Sequence, residues 1–176
     1  MQYYNTTAKI YDRLYQEEQK RKYKVALRTI YNQNTTLDNR LVLDVGCGTG
    51  LLEDVDYFDG DLICIDLSKN MLKEAKHKFG NKLDLLCVDA DYLPFREQIF
   101  DFVLSFTLLQ NMPEPEKTII EIRRIAKEGA MIVFSSIKKI FSKEFLLFLC
   151  TEKKISVINC IDDKELKDYV VVCKCF

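Results

Sequence analysis

The sequence predicts a doubly wound α/β domain built on a largely parallel sheet, and three observations carry that expectation. Short runs that are apolar almost throughout, LVLDV at Leu41 to Val45 and FVLSF at Phe102 to Phe106, suit strands covered on both faces. Helix-like segments alternate with such runs along the chain. A glycine-rich turn, Gly46 to Gly50, follows the first run directly, and an open α/β sheet presents its ligand site beyond the carboxyl ends of its strands.

The elements follow in order. Between Asn5 and Ile30 there is no Gly or Pro, and Tyr23, Ala26, Leu27 and Ile30 recur at helical spacing, which predicts one or two helices. With 176 residues, the chain divides into a helical appendage or lid over residues 1–36 and a single domain over 37–176. After the turn-like NQNTTLDN, strands are expected at Leu41 to Val45, Leu62 to Asp66, Leu83 to Val88, Phe100 to Phe106, Ala130 to Ser135, Ile155 to Cys160 and Tyr169 to Cys175. Helices are expected near Leu51 to Phe58, at Ser68 to Phe79 with Ser68 as N-cap, at Pro115 to Lys127 and at Lys139 to Cys150. The last two strands are joined by IDDKELKD, shorter than the roughly 10–12 residues of a βαβ crossover, so the final strand should be antiparallel.

Composition narrows the function. The 48% hydrophobic residues, with 11 Phe and 9 Tyr, supply a core and exclude a disordered chain. Lys and Arg number 26 against 27 Asp and Glu, so no overall field draws the molecule toward nucleic acid or an anionic membrane. Seven scattered cysteines without a C-x-x-C pair form neither a disulfide framework nor a zinc site, and with the polar start MQYYNTTAKIYD they point to the cytoplasm. The longest apolar stretch, Phe145 to Cys150, falls far short of the ~20 residues of a membrane span. The one histidine, His77, lies off the apolar stripe of its helix, which excludes a metal site built on paired histidines; no metal is expected.

The segment LVLDVGCGTG carries the strongest signal. Gly46, Gly48 and Gly50 alternate at a strand-to-helix turn, where a backbone without Cβ atoms can approach a nucleotide-like ligand. The spacing is G-x-G-x-G, with Leu51 where the dinucleotide fingerprint has its third glycine. Asp44 would repel a pyrophosphate but suits a ligand carrying an ammonium and a sulfonium, as S-adenosylmethionine does. Asp66 lies 20 residues beyond Gly46, at the end of the second strand, where a carboxylate can accept from both ribose hydroxyls.

With these residues the chain resembles the class I S-adenosylmethionine-dependent methyltransferases, whose pattern reads V-L-D-x-G-C-G-T-G. Four further stretches match in order: LICIDLSKNML at Leu62 to Leu72, CVDADYLPF at Cys87 to Phe95, and, within Phe100 to Ser136, the fourth strand with its loop and then the E-x-x-R helix end with the fifth strand. The resemblance implies a Rossmann-like seven-stranded sheet in the order 3-2-1-4-5-7-6 and a cofactor site of Asp44, Gly46, Cys47, Gly48, Gly50, Asp66, Leu67, Asp89, Ala90, Ser105 and Phe106. In it Asp89 takes the adenine amine, adenine lies between Leu67 and Leu93 or its neighbours, and Phe106 borders the transferred methyl. It also implies an aromatic lid, with Tyr11, Tyr15 and Phe106 as catalytic candidates; for the two tyrosines, packing on the sheet edge is the competing reading. Cys47 doubles as a small packed residue, and Asp91 reads as a turn cap or as support for the site.

The implied activity is methyl transfer from S-adenosylmethionine to an acceptor, leaving S-adenosylhomocysteine. A small molecule is the expected acceptor; RNA or protein, and a partner subunit or homodimer, stay open. The N/D-P-P-Y/F motif of amino-methylating enzymes is absent after the fourth strand, which reads SFTL. Competing readings are a non-catalytic cofactor-binding subunit and a nicotinamide-dependent oxidoreductase. Glu17, Glu18, Lys20 and Lys22 are expected to form a solvated face.

Overall fold

A computed structural model describes residues 2–53, 61–153 and 155–176. Its strands are β1 (Leu41–Val45), β2 (Asp61–Asp66), β3 (Asp84–Cys87), β4 (Phe100–Phe106), β5 (Ala126–Ile137), β6 (Ile155–Ile161) and β7 (Asp168–Cys175). They form one sheet in the order β3-β2-β1-β4-β5-β7-β6, parallel except for β7, which runs antiparallel to both neighbours. This is the expected topology. The short β6–β7 connection permits only the reversed direction.

Helix α1 (Gln2–Tyr31) and α2 (Lys69–Phe79) cover one face of the sheet; α3 (Pro115–Ile125) and α4 (Lys143–Glu152) cover the other. Strand alternation assigns side chains to these faces. Val42, Phe102, Leu104 and Phe106 pack toward α1 and α2, whereas Leu43, Val45 and Val103 pack toward α3 and α4. The N-terminal segment is one helix of 30 residues rather than two. Its second half, through Tyr23, Ala26, Leu27 and Ile30, is buried in the first of these cores.

Several boundaries differ from expectation for local reasons. Helix α3 stops at Ile125 because Ala126 already pairs with Phe100; β5 then bulges, at Gly129 with φ of +77°, and resumes pairing at Met131 with Phe102. Helix α4 begins four residues later than expected because Ser142 caps it, accepting from Phe145 N. Ser68 caps α2 as expected, accepting from Met71 N. The short helix expected near Leu51 to Phe58 lies mostly outside the described residues; residues 51–53 form turns.

Candidate functional site

At the carboxyl ends of β1, β2, β3 and β4 lies a cavity of about 370 Å³. The glycine loop forms one wall. Gly46, Gly48 and Gly50 have φ of +80°, +57° and +75°, the left-handed region that favours glycine. A Cβ on Gly48 would meet no protein atom within 4 Å, so the loop backbone stands open to a ligand there. Gly50 serves packing instead: a Cβ would press on Leu83 at 3.0 Å and Phe79 at 3.1 Å.

Asp66 closes β2 and faces this wall. Its two carboxylate oxygens accept from Gly48 N at 2.9 Å and from Ser68 N at 2.7 Å. The carboxylate lines the cavity and offers about four lone-pair sites in all, more than these backbone amides use, so acceptor capacity remains for a ligand. Burial raises the carboxyl's pKa, and the amide donors of Ser68 and Gly48 pull against that rise. The result is an anchored acceptor pair aimed at the cavity, the geometry a vicinal diol requires.

Beyond β3, Asp89, Ala90 and Asp91 line the cavity. Asp89 Oδ1 accepts from Asp91 N at 3.0 Å, a turn that leaves Oδ2 for a ligand amine. Asp91 itself accepts from Thr118 Oγ1 of α3, so it braces the turn. Ile65, Leu67, Met71 and Val88 supply apolar surface for a flat ring. Leu93 is buried and does not line the cavity.

Of the expected site residues, Gly46, Gly48, Asp66, Leu67, Asp89, Ala90, Phe106 and Tyr11 line the cavity. Asp44, Cys47, Gly50, Ser105 and Tyr15 do not. Asp44 is 2% exposed, and burial, reinforced by the Asp66 charge, raises its pKa to about 8. Cys47 is buried among α1 and sheet side chains, where burial and neighbouring Cys64 push its thiol up. Ser105 is fully buried and its hydroxyl has no partner among the described residues; alternation turns it to the face opposite Phe106. The Tyr15 ring packs tilted against Tyr11, centroids 4.9 Å apart, outside the cleft. Phe106 meets Tyr23 edge-on at 4.6 Å.

The structure adds contacts that the sequence did not reveal. Thr107, directly after β4, has φ of +57°, a strained conformation for a β-branched residue. A buried network holds it. Thr107 N donates to Ser135 Oγ at 2.9 Å, and Thr107 Oγ1 and Ser135 Oγ each donate to Asp168 Oδ2 at 2.9 Å. Lys22 of α1 completes the network, 3.0 Å from the same Asp168 oxygen and bonded to Thr107 Oγ1. This corrects the expectation of a solvated Lys22: the residue is 1% exposed. Burial lowers its pKa and Asp168 opposes that shift. Gln110 and Asn111 also donate to Thr107 O, at 2.7 and 2.9 Å.

Helix α1 is tied across the cleft at three places. Asn111 Nδ2 donates to Tyr4 OH at 3.0 Å; Asp12 accepts from Thr49 of the glycine loop and pairs with Lys78 of α2 at 2.6 Å; Lys22 pairs with Asp168. Tyr11 carries a phenol whose pKa burial, with Tyr4 nearby, raises further, so it stays protonated. Its oxygen accepts from Gln19 Nε2 at 3.1 Å. No group of three His, Cys, Asp or Glu residues suited to a metal ion occurs among the described residues. Nor, among them, is any helix long and apolar enough to cross a membrane.

Residues 43–134 match the family described as Methyltransferase domain. An uncharacterized protein of Methanocaldococcus jannaschii is 31% identical over 134 residues, 76% of this chain and 50% of that protein. The ubiquinone biosynthesis O-methyltransferase of Coxiella burnetii is 33% identical over 113 residues, 62% of this chain and 48% of that enzyme. The chain thus spans about half the length of the curated relatives it matches. Among solved structures, the magnesium protoporphyrin IX methyltransferase of Synechocystis, with S-adenosylmethionine bound, superposes with a TM-score of 0.76 at 17% identity, covering 90% of this chain and 80% of that one.

Proposed function

The chain belongs to the methyltransferase domain family, and from that premise we propose that it transfers the methyl group of S-adenosylmethionine to a small-molecule acceptor. The observation that carries this reading is Asp66, whose carboxylate is anchored by backbone amides and lines the cavity, where it can accept from a ribose beside a glycine loop open at Gly48. Asp89 and Ala90 would hold the adenine edge, with Leu67 and Val88 against its ring. Asp44, buried behind the loop, would favour the cofactor's positive charges through space. When bound, the cofactor supplies a methyl carbon made electrophilic by its cationic sulfur.

The chain's own contribution is then positioning and exclusion of water. Tyr4 and Tyr11 cover the cleft from α1, and Phe106 closes it from β4. Tyr11 stays protonated and so acts as a donor, not a base. His77 is exposed on α2 and takes no part. The Coxiella relative's name supports an oxygen acceptor. The tied α1 supports a small molecule over RNA or protein. Seven free cysteines support a reducing, cytoplasmic setting.

Calorimetry with S-adenosylmethionine, S-adenosylhomocysteine and NADH tests the reading. Binding of the first two and not the third is expected, followed by S-adenosylhomocysteine release in the presence of acceptor. Preference for NADH would favour an oxidoreductase. Tight cofactor binding without product from any acceptor would favour a non-catalytic subunit.

A further inference from the structure

A second cavity, of about 220 Å³, adjoins the cofactor cleft and shares Tyr4, Tyr11 and Thr107 with it. We propose that this chamber holds the methyl acceptor, and that the acceptor is a neutral single-ring molecule presenting a hydroxyl, a phenol. The inference rests on the methyl-transfer reading above and names the substrate class of that site.

Size is the first argument. The chamber is markedly smaller than the cofactor cleft, about 220 Å³ against about 370 Å³, a size for one ring and its substituents rather than a second nucleotide. Its walls are the second. Tyr4, Tyr11 and Tyr15 line it from α1, their rings tilted to one another with centroids 6.3 and 4.9 Å apart along the series, and Ile137 lines it as well. Aromatic rings and an aliphatic side chain lining one chamber accept a flat apolar body.

Gln19 supplies the third argument. It is 5% exposed, lines the chamber, and its Oε1 has no hydrogen-bond partner among the described residues, although Nε2 is used by Tyr11. Buried amide oxygens are ordinarily satisfied, so this one is left for something the chamber receives. Were the amide turned over, its nitrogen would be the unsatisfied atom. A phenolic hydroxyl answers either arrangement, because it both donates and accepts. The fourth argument is charge. The four ionic groups in the chamber are already paired, Lys22 with Asp168 at 3.0 Å and Lys167 with Glu18 at 3.2 Å. An ionic ligand would have to break one of these pairs, whereas a neutral ring leaves both intact.

The position of Thr107 links chamber to cleft. Its strained backbone, fixed by Ser135 and the Lys22–Asp168 pair, sits at the shared boundary, where the two reactants must meet. There the phenol oxygen forms a bond to the methyl carbon as the carbon–sulfur bond breaks, the sulfur keeping the electron pair. The phenolic proton leaves to water at the chamber mouth, where the Lys167 side chain is 76% exposed.

The test begins with protein saturated with S-adenosylhomocysteine, its binding measured by calorimetry, and phenol as the probe in saturation-transfer NMR. Phenol should receive saturation from the native protein. Gln19→Phe, which fills the chamber, should abolish that transfer and leave S-adenosylhomocysteine affinity within about twofold. Gln19→Leu, close to native in size and so readable even if the phenylalanine variant fails to fold, should weaken phenol about tenfold, the effect of one lost hydrogen bond. Absence of transfer to phenol in the native protein, or equal transfer in both variants, overturns the proposal. Methylation of total RNA or protein that survives Gln19→Phe overturns it as well. Failure to bind S-adenosylhomocysteine would instead remove the methyl-transfer reading beneath it.

Discussion

Replacing Asp66 by alanine separates a ribose anchor from a merely structural carboxylate. In the folded protein the Asp66 carboxylate is held by backbone amides, Gly48 and Ser68 among them, and keeps acceptor capacity toward the cavity it lines. Two ribose hydroxyls would therefore make two charge-assisted hydrogen bonds, and removing a hydrogen-bond partner of that charged kind costs about 1.5–3 kcal/mol. Cofactor affinity should fall by roughly ten- to a hundred-and-fifty-fold. S-adenosylhomocysteine carries the same ribose without the sulfonium charge, so it should lose affinity by the same factor. Calorimetry on both ligands, with thermal melting to show that the glycine loop survives the loss of its two amide contacts, makes the comparison. Unchanged affinity, or a loss confined to S-adenosylmethionine, would refute the ribose assignment.

Asp44 and Lys22 yield three more. Because burial holds the Asp44 pKa at about 8 in the folded state against 3.8 as an ordinary carboxyl, the folded state binds the extra proton between those values. The contribution to stability is fully present below pH 4 and is lost as pH rises toward 8, by on the order of 5 kcal/mol at most; urea titrations of the native protein and Asp44→Asn should diverge across that window. A cationic cofactor favours the ionised form, so binding at pH 7 should release close to one proton, seen as a dependence of calorimetric heat on the buffer's ionisation enthalpy. Asp44→Asn should release none. Lys22→Met leaves Asp168 buried without its cation and should destabilise the fold by about 3–5 kcal/mol in urea unfolding, with Lys22→Met/Asp168→Asn recovering part of the loss. Equal stability of the single and double variants would show that Lys22 and Asp168 are not coupled.

Much of this was legible in the sequence because the relevant signals are local. An apolar run followed by alternating glycines specifies both a buried parallel strand and a loop that a ligand can approach, and Asp66 ends the next run at the distance a ribose anchor requires. The antiparallel β7 followed from a connection too short to cross over. What escaped depends on residues far apart in the chain. Asp168 meets Lys22 across a separation of 146 positions and Ser135 across 33, and no pattern of spacing encodes that meeting. A partial signal existed: Lys22 falls on the same helical stripe as Ala26 and Ile30, and a lysine on a buried stripe needs a buried partner. The strain at Thr107 left no trace in residue type, since glycine or asparagine would have advertised a left-handed position and threonine does not. The resemblance placed Tyr15 over the cofactor and Ser105 beside it, but helix rotation sets Tyr15 in the adjoining chamber and strand alternation turns Ser105 to the opposite face.

The central claim is that an S-adenosyl nucleoside occupies the cleft over Asp66. A crystal structure of the protein grown with S-adenosylhomocysteine tests it most directly. The account predicts both ribose hydroxyls within hydrogen-bonding distance of Asp66, adenine between Leu67 and Val88 with its amine at Asp89, and sulfur facing the Thr107 boundary. A nucleoside bound elsewhere, or a ribose turned away from Asp66, would contradict it.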